Sequence, residues 1–422
     1  MTADCLLQTA DFFRTFTSPM KSILFSLVFI LTFSFAGNSQ IIIRTKMNAE
    51  KTDADIKTGA ERTDIYLPLL EGKNVAVVAN QTSMINSTSL VDSLVAMKVK
   101  VKKIFCPEHG FRGVADNGEE VGNSTDAKTG LPIISLYGDH YKPQPKDLKG
   151  IDVVVYDIQD VGVRCYTYVS TMTYVMEACA EQKIKFIVLD RPDPNGYYVD
   201  GPVLETAYKS IVGLHPVPLV YGMTIGEYAQ MLNGEKWLAN GVQADLKVIP
   251  CENYEHSDWY QLPVPPSPNL PNMASVYLYP SLCLFEGTVM SVGRGTDLPF
   301  QVVGHPQLKN AAYQFTPVSK PGAKNPPYLK QLCYGHDLHD FALLYVRDYK
   351  GIYLFWMLSC YKDMPDQSHF FNDFFTRLSG TKTLQSQIES GQTEEQIKAG
   401  WRPAIQKFKV TRKKYLLYED FE

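Results

Sequence analysis

Short apolar runs rich in β-branched residues recur along the chain, and between them apolar residues return at helical spacing. Residues 74–79 read Asn-Val-Ala-Val-Val-Ala, a strand with polar boundaries. Leu90, Leu94 and Met97 then share one helical face, with Ser89 placed to cap it. Strands follow at 101–106, 133–136, 151–156 and 186–189, and a helix at 168–182 precedes the last of them. The 151–156 run is almost wholly apolar, as expected of a strand covered by helices on both faces. Strands and helices alternating at this pace predict an α/β protein with a parallel, doubly wound sheet.

The pattern changes beyond the fifth strand. Residues 201–221 are rich in Pro and Gly and predict irregular chain. Thr224, with Glu227 three positions on, forms a capping box for a helix over 224–233, and 246–249 offers one more strand. The stretch 263–271 carries five prolines, which no central strand or helix tolerates. It predicts a rigid extended connection near the border of a second domain. Short strands, loops around 316–328 and helical runs near 371–378, 384–389 and 393–399 follow. A chain of 422 residues exceeds one economical core. The expected division is a first domain over 65–235 and a second over 236–422, with the polar, lysine-rich 38–66 as a tether.

The N-terminus adds a destination. Lys21 precedes an apolar run from Ile23 to Phe33 that ends in small residues at Ala36 and Gly37. A basic start, a short apolar core and a small-residue exit describe a signal peptide over 20–37, with Met20 as the initiator. The run is short for a membrane span, so export without stable membrane insertion is expected, to the periplasm or beyond it. Composition is ordinary for a globular protein, and a net charge of -4 offers nothing to attract nucleic acid. Seven scattered cysteines follow the signal with no CxxC pair, as buried hydrophobes or as one or two disulfides.

In open parallel sheets, ligands bind beyond the carboxyl ends of the strands. Here those ends run into Asn80-Gln81-Thr82-Ser83, Pro107-Glu108-His109-Gly110-Phe111-Arg112, Asp157-Ile158-Gln159-Asp160 and Asp190-Arg191-Pro192-Asp193. Four such loops on one edge predict a shared crevice. No Gly-x-Gly-x-x-Gly or P-loop is present, which argues against a nucleotide cofactor, and no Gly-x-Ser-x-Gly elbow supports serine hydrolysis. Scattered histidines and the lack of HExxH give no metal site, so no cofactor is expected. Glu108 stands out, directly after a strand and beside an imidazole, a ring and a guanidinium. Burial raises a carboxyl pKa, which suits a general acid. The alternative is a loop-bracing ion pair between Glu108 and Arg112. Asp157, Asp160, Asp190 and Asp193 supply further carboxylates, of which Asp190 equally fits a structural role. Gly293-Arg294-Gly295-Thr296 is either an anion cradle or a tight turn.

Six ordered motifs carry a resemblance: 107–113, 157–164, 190–196, 265–271, Phe285-Glu286-Gly287-Thr288 and 293–300. Together they resemble the bacterial exo-β-N-acetylmuramidase family, long catalogued as a domain of unknown function, over roughly 65–422. The resemblance implies a Rossmann-like domain joined to a smaller C-terminal α/β domain, with a site in the cleft between them. It implies release of N-acetylmuramic acid from the non-reducing ends of peptidoglycan fragments, with Glu108 as the acid. Asp157, Asp160 or Glu120 would stabilise the oxocarbenium-like transition state or activate water, unless the substrate acetamido oxygen takes part. The anionic lactyl group of muramic acid would be read by Arg112, Arg164, Arg191 or Arg294. His109, Tyr166, Asp190 and Asn269 complete the expected binding set. Two other readings share the export signal and an α/β cleft: a binding protein for cell-wall sugars, and a peptidoglycan esterase or amidase.

Overall fold

The structure is a computed structural model that describes residues 56–108, 110–112, 122–138, 140–308 and 311–422. The expected signal peptide, His109 and Glu120 lie outside the described residues. Strands β1 (Asn74–Ala79), β2 (Lys100–Cys106), β3 (Ser124–Thr125), β4 (Pro132–Ser135), β5 (Val153–Asp157), β6 (Lys185–Leu189) and β7 (Leu246–Ile249) form one sheet. Their order is β3-β4-β2-β1-β5-β6-β7. All neighbours run parallel except the two-residue edge strand β3, which pairs antiparallel with β4. Helices α1 (Thr63–Leu70), α2 (Leu90–Ala96), α3 (Tyr168–Gln182) and α4 (Ile225–Gly234) pack on it.

Alternate residues of the central strands bury on opposite faces, as the two-residue period requires. Val75, Val77, Ile104, Val155 and Ile187 join Tyr66, Leu90 and Leu94 in one core. Ala76, Val78, Phe105, Val154 and Phe186 face α3 in a second, larger core. That second core runs on without a break into α5 (Met273–Leu282), α6 (Phe374–Ser379) and α7 (Glu394–Arg412), through Leu278, Phe375 and Phe408. A small antiparallel sheet of β8 (Val302–His305), β9 (Tyr313–Phe315) and β10 (Cys333–Asp337) joins the same core through Val303.

Two expectations need correction. The tether read over 38–66 is folded from Ile56 onward: Ile56, Ala60 and Tyr66 are buried, and Lys57 pairs with Glu252 through both backbone groups. A Cβ on Gly59 would collide with the backbone of Ile249 and Asp190, so only glycine lets this segment lie across the ends of β6 and β7. The seven described cysteines are all free and buried, so none of them forms the disulfides left open by the sequence. Among the described residues no helix is long and apolar enough to cross a membrane.

At the carboxyl edge three of the four loops, those after β1, β5 and β6, are cross-linked by buried polar contacts. Arg191 clasps Asp157 through Nε and Nη2, at 2.6 and 2.9 Å, with both side chains buried. Ser83 donates to the Asp157 carbonyl, and Gln159 bridges to Thr82 and to the carbonyl of Pro192. Asp190 accepts from Thr224 Oγ1 (2.7 Å), Gly226 N (2.8 Å) and Tyr418. The Thr224–Glu227 capping box forms as expected, and it starts α4 over this carboxylate.

Removing one partner of a buried pair leaves an uncompensated charge. Asp157→Asn is therefore expected to cost about 3–5 kcal/mol of unfolding free energy, read from the urea midpoint; a change within 0.5 kcal/mol, the range usual for an exposed site, would refute the clasp. A second expectation concerns His215, which is buried, stacks on Trp237 and meets the Tyr228 hydroxyl at 3.2 Å. Burial lowers its pKa to about 3, so between that value and the unfolded 6.5 only the unfolded chain takes up the proton. Its contribution is present above pH 6.5 and is lost as pH falls. Burial raises Asp160 and Asp190 to about 6, which acts in the opposite sense over that range. The comparison with His215→Phe isolates the imidazole: on going from pH 7 to pH 5 the parent should lose roughly 2 kcal/mol more than the variant.

Candidate active site

A cavity of about 260 Å³ lies where the end of β2, the head of α3, the proline-rich connection and the turn bearing Arg294 meet. Glu108 follows β2 after a single proline, and Gly110, at φ +75°, closes the turn by donating to the Pro107 carbonyl. The positive φ makes glycine the natural residue there. Glu108 is only 8% exposed, and Thr167 Oγ1 donates to its Oε2 at 3.1 Å. Thr167 directly precedes α3, where the first N–H groups have no intrahelical acceptor. Its hydroxyl makes no cap hydrogen bond there. It reaches to the carboxylate instead, tying Glu108 to the start of a 15-residue helix.

The walls are aromatic. Tyr166 lies edge-on to Tyr168 (centroids 4.7 Å apart) and to Tyr279 (5.9 Å), and Tyr279 meets Phe300 at 5.1 Å. The Tyr166 hydroxyl donates to the Pro266 carbonyl at 2.7 Å, so the proline-rich connection is pinned against the cavity. Rings of this kind give apolar faces for a sugar, while the carboxylates supply acceptors. Among the described lining residues the carboxylates are Glu108 and Glu286, and the one cation is Arg294. Arg294 donates to Glu286 Oε1 from Nε (3.1 Å) and Nη2 (2.7 Å), and its guanidinium carbon lies 5.0 Å from the Phe300 ring centre.

Of the residues expected at the site, Glu108, Tyr166, Asn269 and Arg294 line this cavity. Asn269 holds its amide on the carbonyl of Gly322 at 2.9 Å. Asp157, Asp160, Arg164, Asp190 and Arg191 do not line it; each is at most 3% exposed and bonded to partners elsewhere, although Asp160 Oδ1 and Arg164 Nε have none. Asp160 accepts from Tyr221 and from Gly162 N, and Arg164 gives hydrogen bonds to the carbonyls of Pro202, Val217, Leu378 and Ser379. These five thus lie outside this cavity, in the buried polar contacts that join the loops. Arg112 braces its own loop through Asp126 (2.8 Å) while packing on Phe111. The Gly293–Thr296 segment is a tight turn, with Thr296 N on the Gly293 carbonyl and φ of +77° and +80° at the two glycines.

Glu286, Thr167, Tyr168 and Tyr279 escaped the sequence reading. Glu286 had a usable signal, since it stands eight positions before Arg294 within a neighbouring motif. Tyr279 had none, because it sits inside α5, where an aromatic reads as core.

Two family profiles match the chain in succession: Exo-beta-N-acetylmuramidase NamZ, N-terminal, over residues 75–274, and its C-terminal counterpart over 277–418. A Bacillus subtilis (strain 168) protein named peptidoglycan beta-N-acetylmuramidase NamZ is 39% identical over 381 residues, covering 84% of this chain and 89% of the relative. A crystal structure of a DUF1343 family protein from Bacteroides fragilis NCTC 9343 aligns with a TM-score of 0.81 at 49% identity, over 87% of this chain and 99% of its own. A second from the same organism gives 0.72 at 32%, over 86% and 99%. With both profiles in order and this identity sustained over most of its length, the chain belongs to the exo-beta-N-acetylmuramidase NamZ family.

Proposed function

We propose that the protein is an exo-acting glycoside hydrolase that releases N-acetylmuramic acid from the non-reducing ends of peptidoglycan fragments. One observation carries the reading: the Glu108 carboxyl, fixed by Thr167, stands in the wall of an aromatic-sided cavity with room for about one sugar. In this reading Glu108 gives its proton to the glycosidic oxygen as the bond to the muramoyl C1 breaks. Positive charge then grows at C1 and the ring oxygen. Among the described lining residues Glu286 is the second carboxylate, and it serves either that transition state or the attacking water. The aromatic faces hold the ring while the bond breaks. Family membership and the name of the Bacillus subtilis relative support the substrate class. The basic, apolar and small-residue sequence over 20–37 supports action after export, where such fragments arise.

Glu108→Gln keeps the shape and the Thr167 contact but has no proton of carboxylic acidity. Turnover of a chromogenic muramoyl glycoside should fall about 10²–10⁴-fold, with an unchanged thermal midpoint. Normal turnover by a folded variant would end the reading. Asp157→Asn, assayed below its unfolding transition, should by contrast escape a loss of that size.

A further inference from the structure

Four arginines fit, by sequence, the task of reading a carboxylate on the substrate, and their surroundings separate them. Arg164 is held by four backbone carbonyls, with its Nε left unpartnered away from the cavity, and Arg191 by Asp157 and the carbonyl of Met84. Arg112 is 45% exposed and paired with Asp126. None of the three lines the cavity that holds Glu108. Arg294 does, and its bonding is incomplete in a particular way. Nε and Nη2 both go to a single oxygen of Glu286, whereas Nη1 is buried with no hydrogen-bonding partner.

A buried guanidinium N–H without an acceptor is costly, and native proteins rarely leave one. The Glu286 pair and the Phe300 ring together fix the plane of the guanidinium, so this free edge has a set direction before any ligand arrives. We propose that Arg294 Nη1 is the specificity contact for the free lactyl carboxylate at C3 of the terminal muramoyl residue. That carboxylate is the group that separates N-acetylmuramic acid from N-acetylglucosamine. The assignment rests on the muramidase reading of the same cavity. It makes Arg294 a residue that binds one substituent and takes no part in proton transfer. Nη1 is covered by its surroundings, so the contact needs a small local shift, after which a planar fork held from one side by a protein carboxylate presents its remaining N–H groups to a second.

The test pairs a change in the enzyme with a change in the substrate. A chromogenic muramoyl glycoside is assayed as the free lactyl acid and as its neutral methyl ester, with the parent enzyme, Arg294→Met and Arg294→Lys. The parent should prefer the acid by about 10- to 100-fold in kcat/KM. Arg294→Met should cleave acid and ester with equal kcat/KM, whatever its overall rate, and Arg294→Lys should recover part of the preference. An Arg294→Met enzyme that keeps the parental preference overturns the assignment. So does a parent that cleaves acid and ester equally, which leaves the muramidase reading standing. A parent that cleaves neither overturns both. Should Arg294→Met fail to fold, inhibition of the parent by N-acetylmuramic acid and by its lactyl methyl ester decides: the acid should bind about 10-fold tighter or more, and equal inhibition refutes the proposal.

Discussion

A parallel sheet ends in a row of loops whose polar groups must be satisfied away from water, and here the buried clasp between Arg191 and Asp157 anchors that row. Because β1, β5 and β6 are neighbours, one contact between the ends of β5 and β6 also fixes the Ser83 loop, which donates to the Asp157 carbonyl. Gln159, Asp190 and Asn195 extend the same network to β1, α4 and α5. Buried polar groups at such density are tolerated because most of them find partners. The result is a rigid floor, beside which Glu108 and the head of α3 are set.

Much of the fold was legible because the sheet is covered on both faces. A covered parallel strand is a nearly unbroken apolar run, and 74–79 and 186–189 could be placed within a residue; the edge strand 246–249 was found too, although its Lys247 is exposed. Helix α3 was placed at its observed bounds from its spacing. Where the reading failed, the signal was weak or misleading. Strand β3 has two exposed residues and thus no periodicity to detect. Pro403 sits inside α7, which runs to Arg412 although the helical run was expected to stop near residue 399. The stretch 56–66 looks polar overall, yet it buries Ile56, Ala60 and Tyr66 against strand ends distant in sequence.

The site was legible in a different measure. Glu108 was identifiable because it ends a strand and its neighbours are chemically varied. The same criterion also selected Asp157, Asp160, Asp190 and Arg191, because a strand-end carboxylate that holds the scaffold and one that meets a ligand look alike in sequence. Burial separates them, and burial comes from the tertiary packing of loops. Glu286 and Tyr279 arrive from more than a hundred residues further along, on elements whose approach no local pattern encodes.

Arg164 has a consequence for how a ligand gets in. Its guanidinium joins carbonyls at residues 202 and 217 to carbonyls at 378 and 379, so one buried side chain rivets the sheet half of the molecule to α6, whose residues also flank the cavity. With a continuous apolar core on either side of that rivet, the halves cannot swing apart like jaws at a small energetic cost. The wall that α6 supplies therefore travels with the sheet as one piece, and a ligand meets these two parts of the cavity in a fixed mutual placement.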